Sequence, residues 1–295
     1  MKDEVGERKS LDPSMPKWKP VPHTRTRRII EGTAAVAVWM CMGFVFHLSG
    51  NAYLLLGIPI TIIFQKYVRR APLRAMWVRD APPFYLGKMG VAFAILLMIR
   101  PLMDLVRCIR LHASWVLGAC FVAAILGAWA AAYALCYFRR ETGLELLLCT
   151  ATAGVVGSAI IAAVAFTRAA SHEPAWSRVH TGVVSLLQNV PVTFLLEEVW
   201  FRGVLDSHLH HPGEARGAQS AIYVSALWGL WHYPILPGPH SLGKLLPTLA
   251  SLLLVHVSIG VLFSWSWRRS GNLFVPASVH ALIDAVRNAL IGLPA

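Results

Sequence analysis

The stretch Pro191–Leu205, PVTFLLEEVWFRGVL, sets the terms for the whole chain. Two adjacent glutamates and an arginine interrupt a run that is otherwise apolar enough for a membrane interior. An ionisable residue at that depth is costly and by default marks a functional site whose partner has to be named. On a helix, Glu198 and Arg202 are four apart and share a face, so they can pair as carboxylate and guanidinium. Glu197 lies about 100° round the axis and is left without that cation. A carboxylate in such a position can serve as a general base. The competing reading is a plain Glu–Arg clamp at a helix end, with Glu197 solvated.

The rest of the chain agrees with a membrane setting. Of 295 residues, 56% are apolar and only 14% are charged, whereas an ordinary soluble domain carries about 25% charged residues. Too little polar surface remains for a water-soluble body, and disorder would need the opposite composition. The fold class expected is an all-α, polytopic membrane protein with eight or nine transmembrane helices. Runs of the required length, about 20 residues, fall near 31–48, 50–64, 84–103, 113–138, 144–167, 181–205, 217–235, 246–267 and 273–292. The net charge of +12 would suggest nucleic acid in a soluble protein. Here Lys and Arg gather between the apolar runs, as topology signals do, so no nucleic-acid partner is expected.

Three regions follow. Residues 1–28 form a polar, basic tail that resembles a signal-peptide n-region but precedes an uncleaved first span. Residues 29–170 form N-terminal transmembrane helices, with a basic amphipathic connector at 65–83, QKYVRRAPLRAMWVRDAPP, expected to lie along anionic lipid. Residues 175–293 hold the polar chemistry. The basic clusters put the N-terminus in the cytoplasm. The five cysteines show no CxxC pair and read as small apolar residues rather than a disulfide or thiolate site.

Two further segments break the apolar pattern. In SALWGLWHYP, His232 follows Trp228 by four and shares its face, though a lone histidine there could equally be a satisfied structural one. In NLFVPASVHALIDAV, His280 and Asp284 are four apart, and a hydrogen bond stitching helices together is the rival reading. At 1.5 Å per residue, Glu197, His232 and His280 lie about 18, 24 and 10–12 Å from one membrane face, so all three can converge inside a core about 30 Å thick. His208, His210 and His211 could bind metal, but their place at a span end suggests solvated side chains. No HExxH, G-x-S-x-G or P-loop is present.

Glu197-Glu198-x-x-x-Arg202, Trp228-x-x-x-His232 and His280-x-x-x-Asp284, with the lead-in RRSGNLFVPASVH, resemble the three motifs of the CAAX protease and bacteriocin-processing (CPBP) family. That family includes the Ras-converting CAAX prenyl endopeptidase. Trp228 stands where the family usually has Phe, and Asp284 where many members have Asn. The resemblance implies an intramembrane endopeptidase in which Glu197 and His232 activate water. It further implies that Glu198 and Arg202 brace the site, while His280 and residue 284 polarise the scissile carbonyl. An ionised Asp284 would repel an oxyanion, so Asp284 is either protonated or orients His280.

Several forks stay open at this level. Glu197, His232 and His280 are also a zinc ligand set, with the metal-free glutamate mechanism favoured and zinc as the alternative cofactor. A non-catalytic immunity or binding protein is the second alternative. A transporter would spread its charges over more spans and show paired half-repeats. The partners expected are membrane lipids and a prenylated or otherwise membrane-anchored protein or peptide. The location expected is a bacterial plasma membrane.

Overall fold

The computed structural model describes residues 24–167, 174–210, 217–236 and 242–291. Most of the N-terminal tail, His211 and Arg216 lie outside them. The described residues are helical with no strand, apart from an isolated bridge between Val78 and Asn272. The helices are α1 (Arg25–Val45), α2 (Gly50–Ile63), α3 (Lys88–Arg110), α4 (Trp115–Cys136), α5 (Arg140–Cys149), α6 (Val155–Thr167), α7 (Ala175–Leu195), α8 (Ser207–Leu209), α9 (Ala218–Trp231), α10 (Leu242–Ser270) and α11 (Phe274–Ile291). Among the described residues each apolar run found in the sequence falls largely on helix, and seven helical stretches are long and apolar enough to span a membrane. This is an all-α, multi-pass membrane protein. The shorter α9 and α11 carry the polar motifs and are surrounded by other helices, so they need less apolar surface of their own.

Local signals explain several boundaries. Thr24, Ser49 and Ser114 each accept a backbone N–H at the start of α1, α2 and α4. Asn272 does the same for α11, accepting from the Phe274 N–H at 2.9 Å while its amide donates to the Ala134 carbonyl. In α4, Ala128, Ala130, Ala131, Ala132 and Ala134 are buried, and small side chains of this kind let helices approach closely in a membrane. The outward faces are apolar, with Met89, Trp115 and Leu254 exposed as lipid-facing side chains are.

The N-terminal helices hold the second motif in place. Trp39, Tyr53, Phe64, Trp200, Phe201 and Trp231 form a buried aromatic cluster. Within it the Tyr53 hydroxyl donates to the Trp231 carbonyl at 2.9 Å and the Trp39 indole donates to the Tyr53 carbonyl. The end of α9, one residue before His232, is thereby tied to α1 and α2.

The connector 65–83 is amphipathic in the structure: Ala75 and Met76 are buried in a 3-10 turn, while Lys66, Arg70 and Arg74 are exposed. Arg69 is buried and donates to the Gly203 carbonyl at 3.0 Å. The connector can sit there because residue 203 is glycine, where an added Cβ would lie 2.2 Å from the Met76 carbonyl oxygen. Arg79 reaches the Trp267 carbonyl, and Leu273 donates its N–H to the Trp77 carbonyl.

The basic turn at 268–269 also splits. Arg269 meets Glu145, but Arg268 turns inward onto both oxygens of the buried Asp206, at 2.9 and 2.6 Å, and onto Ser220. Removing one member of a buried pair costs about 3–5 kcal/mol because the other charge is left unpaired. Arg268→Ala is therefore expected to lower thermal stability and folded yield in detergent, and an unchanged melting temperature would contradict this anchor.

Candidate active site

The helix that carries the first motif is not continuous. Helix α7 stops at Leu195, the chain bends through Leu196 and Glu197, and a π-helical stretch runs from Val199 to Asp206. Wide turns of this kind recur at functional sites because they turn a side chain out of the regular spiral. Trp77 secures the bend by donating its indole N–H to the Phe194 carbonyl at 2.9 Å.

Glu198 and Arg202 are fully buried and paired at 3.2 Å, as their spacing predicts. The other oxygen of Glu198 accepts from His280 Nδ1 at 3.0 Å. Arg202 also donates to Ser264 at 3.3 Å and lies over the Trp228 and Phe263 rings, 5.0 and 5.7 Å from their centroids. One carboxylate thus joins the first motif to the third, and one guanidinium joins the first to the second. A desolvated ion pair needs further hydrogen bonds to brace it, and here Ser264 on α10 and His280 on α11 supply them, while Arg202 Nη2 is buried without one.

Glu197 has the opposite surroundings. Its Oε2 is buried and makes no hydrogen bond. It lies 3.9 Å from His232 Nε2 and 4.0 Å from His280 Nε2. His232 Nδ1 donates to the Trp228 carbonyl at 2.8 Å, so the ring carries its proton there and turns Nε2 toward Glu197. Trp228 is buried, with its ring edge-on to both His232 and His280. Asp284 Oδ2 is 3.7 Å from His280 Nε2, longer than a hydrogen bond, while Oδ1 pairs with Arg287 at 2.9 Å.

Glu197, Glu198, Arg202, His232, His280 and Asp284 therefore come together from the π-helical bend, α9 and α11. His208 does not join them. Expected to be solvated, it is buried, bonded to Glu31 at 3.1 Å and packed edge-on against Phe64, because the helix end folds back onto α1 and α2. Sequence reading missed Arg287, the ion partner of Asp284. It also missed His256 on α10, whose ring centroid is 4.3 Å from that of His232. The signal for His256 was available, since it too is an ionisable residue inside an apolar run.

The trio Glu197, His232 and His280 has the right donor types for zinc. Bonds of 2.0–2.1 Å set tetrahedral donors about 3.4 Å apart, whereas the gaps here are 3.9 and 4.0 Å. Among the described residues no group of three His, Cys, Asp or Glu side chains is spaced to hold a metal ion. The present spacing is wider than a bound zinc ion would set.

Residues 178–286 match the family Type II CAAX prenyl endopeptidase Rce1-like. The matched residues include all three motifs, and the match supports a CAAX protease domain of the CPBP kind in that region. No curated protein and no solved structure matches the chain.

Proposed function

We propose that the protein is a glutamate-type intramembrane endopeptidase acting near the C-terminus of a prenylated or otherwise membrane-anchored protein or peptide. The observation that carries this reading is the unbonded Glu197 Oε2 held between two imidazole Nε2 atoms at 3.9 and 4.0 Å. A water that hydrogen-bonds Glu197 and His232 spans such a gap comfortably, with legs of about 2.8 Å. His232 accepts one hydrogen bond from it through the Nε2 lone pair and aligns it. Glu197 takes its proton as the oxygen attacks the scissile carbonyl carbon. The same proton then passes to the amide nitrogen as the C–N bond breaks, leaving a carboxylic acid and an amine.

His280 is the candidate electrophile. Glu198 fixes its Nδ1 proton, and an Nε2–H donor would stabilise the oxyanion. A doubly protonated His280 also balances the cluster, as the third cation beside Arg202 and Arg287 against the carboxylates of Glu197, Glu198 and Asp284. Asp284 is then the counter-ion of Arg287 and an orienting neighbour of His280. The Lys and Arg distribution supports a cytoplasmic N-terminus, and the family supports a prenylated substrate.

The roles of Asp284 and of metal are tested together. Purified protein in proteoliposomes is given a prenylated fluorogenic peptide with a free C-terminus. Asp284→Asn keeps an acceptor for Arg287 and adds an amide donor near His280, so near-normal activity is expected. Dialysis of the wild type against a strong chelator is expected to cost nothing. Stoichiometric metal in the wild type, with loss on chelation and recovery on adding zinc, would replace this mechanism with a His–His–Glu metal site.

A further inference from the structure

His256 has no part in the steps above, yet it lies against the group that aligns the water. It is the sole titratable side chain in α10 between Lys244 and Arg268. Its Nδ1 donates to the Leu252 carbonyl at 2.7 Å, so the ring is tied to its own helix. Its centroid is 4.3 Å from that of His232, at a tilt of 39°, and 4.6 Å from that of Trp228, at 87°. Among the described residues the other ring contacts of His232 are edge-on, from Trp231 at 4.9 Å and Trp228 at 5.8 Å. Among the described residues His256 is thus the nearest ring to His232 and the one closest to lying flat against it.

The helices are built to allow this contact. At Gly229 an added Cβ would meet the Leu252 carbonyl oxygen at 2.9 Å and His256 Cβ at 3.2 Å. The α9 and α10 backbones approach each other at the turn that bears both the anchor of His256 and its side chain. A hydrogen bond to Trp228 holds one atom of the His232 ring but leaves the ring free to swing about that atom. A planar neighbour, itself hydrogen-bonded, removes the swing.

We infer that His256 is a positioning residue, which fixes the ring plane of His232 so that Nε2 stays aimed at Glu197. The inference rests on the proposed roles of Glu197 and His232. It makes the planarity of the ring decisive rather than its proton chemistry or its tether. His256→Phe keeps a flat ring and loses only the tether to Leu252. His256→Leu keeps much of the bulk without a plane, and His256→Ala removes both.

The test uses the full chain in proteoliposomes of phosphatidylethanolamine and phosphatidylglycerol, with the same prenylated fluorogenic peptide. The expected result is a fall in kcat of roughly tenfold for His256→Ala and His256→Leu, at unchanged KM. His256→Phe is expected within about threefold of wild type, a rescue that follows planarity rather than volume. A second readout needs no turnover: solid-state NMR of the His232 ring nitrogens. One pair of signals is expected in wild type and His256→Phe, with several or broadened pairs in His256→Ala. Two results would overturn the inference: a His256→Phe variant as inactive as His256→Ala, or a single unchanged His232 pair in His256→Ala. A wild type that cleaves nothing while its His232 signals still depend on residue 256 would count against the protease reading alone.

Discussion

Glu197→Gln is expected to reduce cleavage of a membrane-embedded peptide by about 10²–10⁴-fold, the usual worth of a positioned general base. Insertion, folded yield and substrate KM should be nearly unchanged. The substitution keeps the size and shape of the side chain, and Glu197 Oε2 makes no hydrogen bond whose loss would cost stability. It removes only the group that takes the proton of the water. Single-turnover cleavage by purified variant and wild type, normalised to inserted protein, checks it. Wild-type turnover by Glu197→Gln would mean that another group is the base.

The second large effect falls on folding as well as on chemistry. Arg202→Ala leaves the fully buried Glu198 with His280 as its sole partner, and Glu198→Gln leaves Arg202 without its carboxylate. Each is expected to cost about 3–5 kcal/mol, seen as a sharp fall in melting temperature and in the folded fraction recovered from membranes. Replacing the pair together, as Glu198→Leu with Arg202→Met, removes both charges and should recover much of the yield. Activity should not return, because His280 then has no carboxylate to hold its Nδ1 proton. Recovery of yield and activity together would show that the pair does nothing beyond filling space.

These two sets of variants separate residues that a linear reading groups together. Glu197 and Glu198 are neighbours, yet one belongs to the reacting atoms and the other to the frame. The difference was legible in the spacing of four between Glu198 and Arg202, which survives the π-helical stretch. What spacing cannot convey is the bend at Leu196–Glu197, since it depends on Trp77 reaching the Phe194 carbonyl from a connector 117 residues away. The bond from His280 to Glu198 spans 82 residues and is equally invisible in one dimension.

Helix positions were readable because apolar composition reports membrane depth directly. Within the connector the burial of Arg69 was not legible, because a basic run suggests a solvated face, whereas Arg69 is drawn inward by the carbonyl of a glycine on another helix. His208 was misread for the same reason. A histidine near a span end looks solvated until a distant carboxylate, Glu31, is brought against it. Asp284 was paired in sequence with His280 at a spacing of four. The closer partner is Arg287, three residues on, which a search for catalytic pairs passes over.

The proposed activity is tested most directly by sequencing the C-termini of membrane proteins from cells that express either wild type or Glu197→Ala at equal levels. The account predicts a defined set of membrane-anchored proteins or peptides that are shortened with wild type and full-length with the variant. Identical C-termini in the two samples, with both proteins folded and inserted, would contradict it.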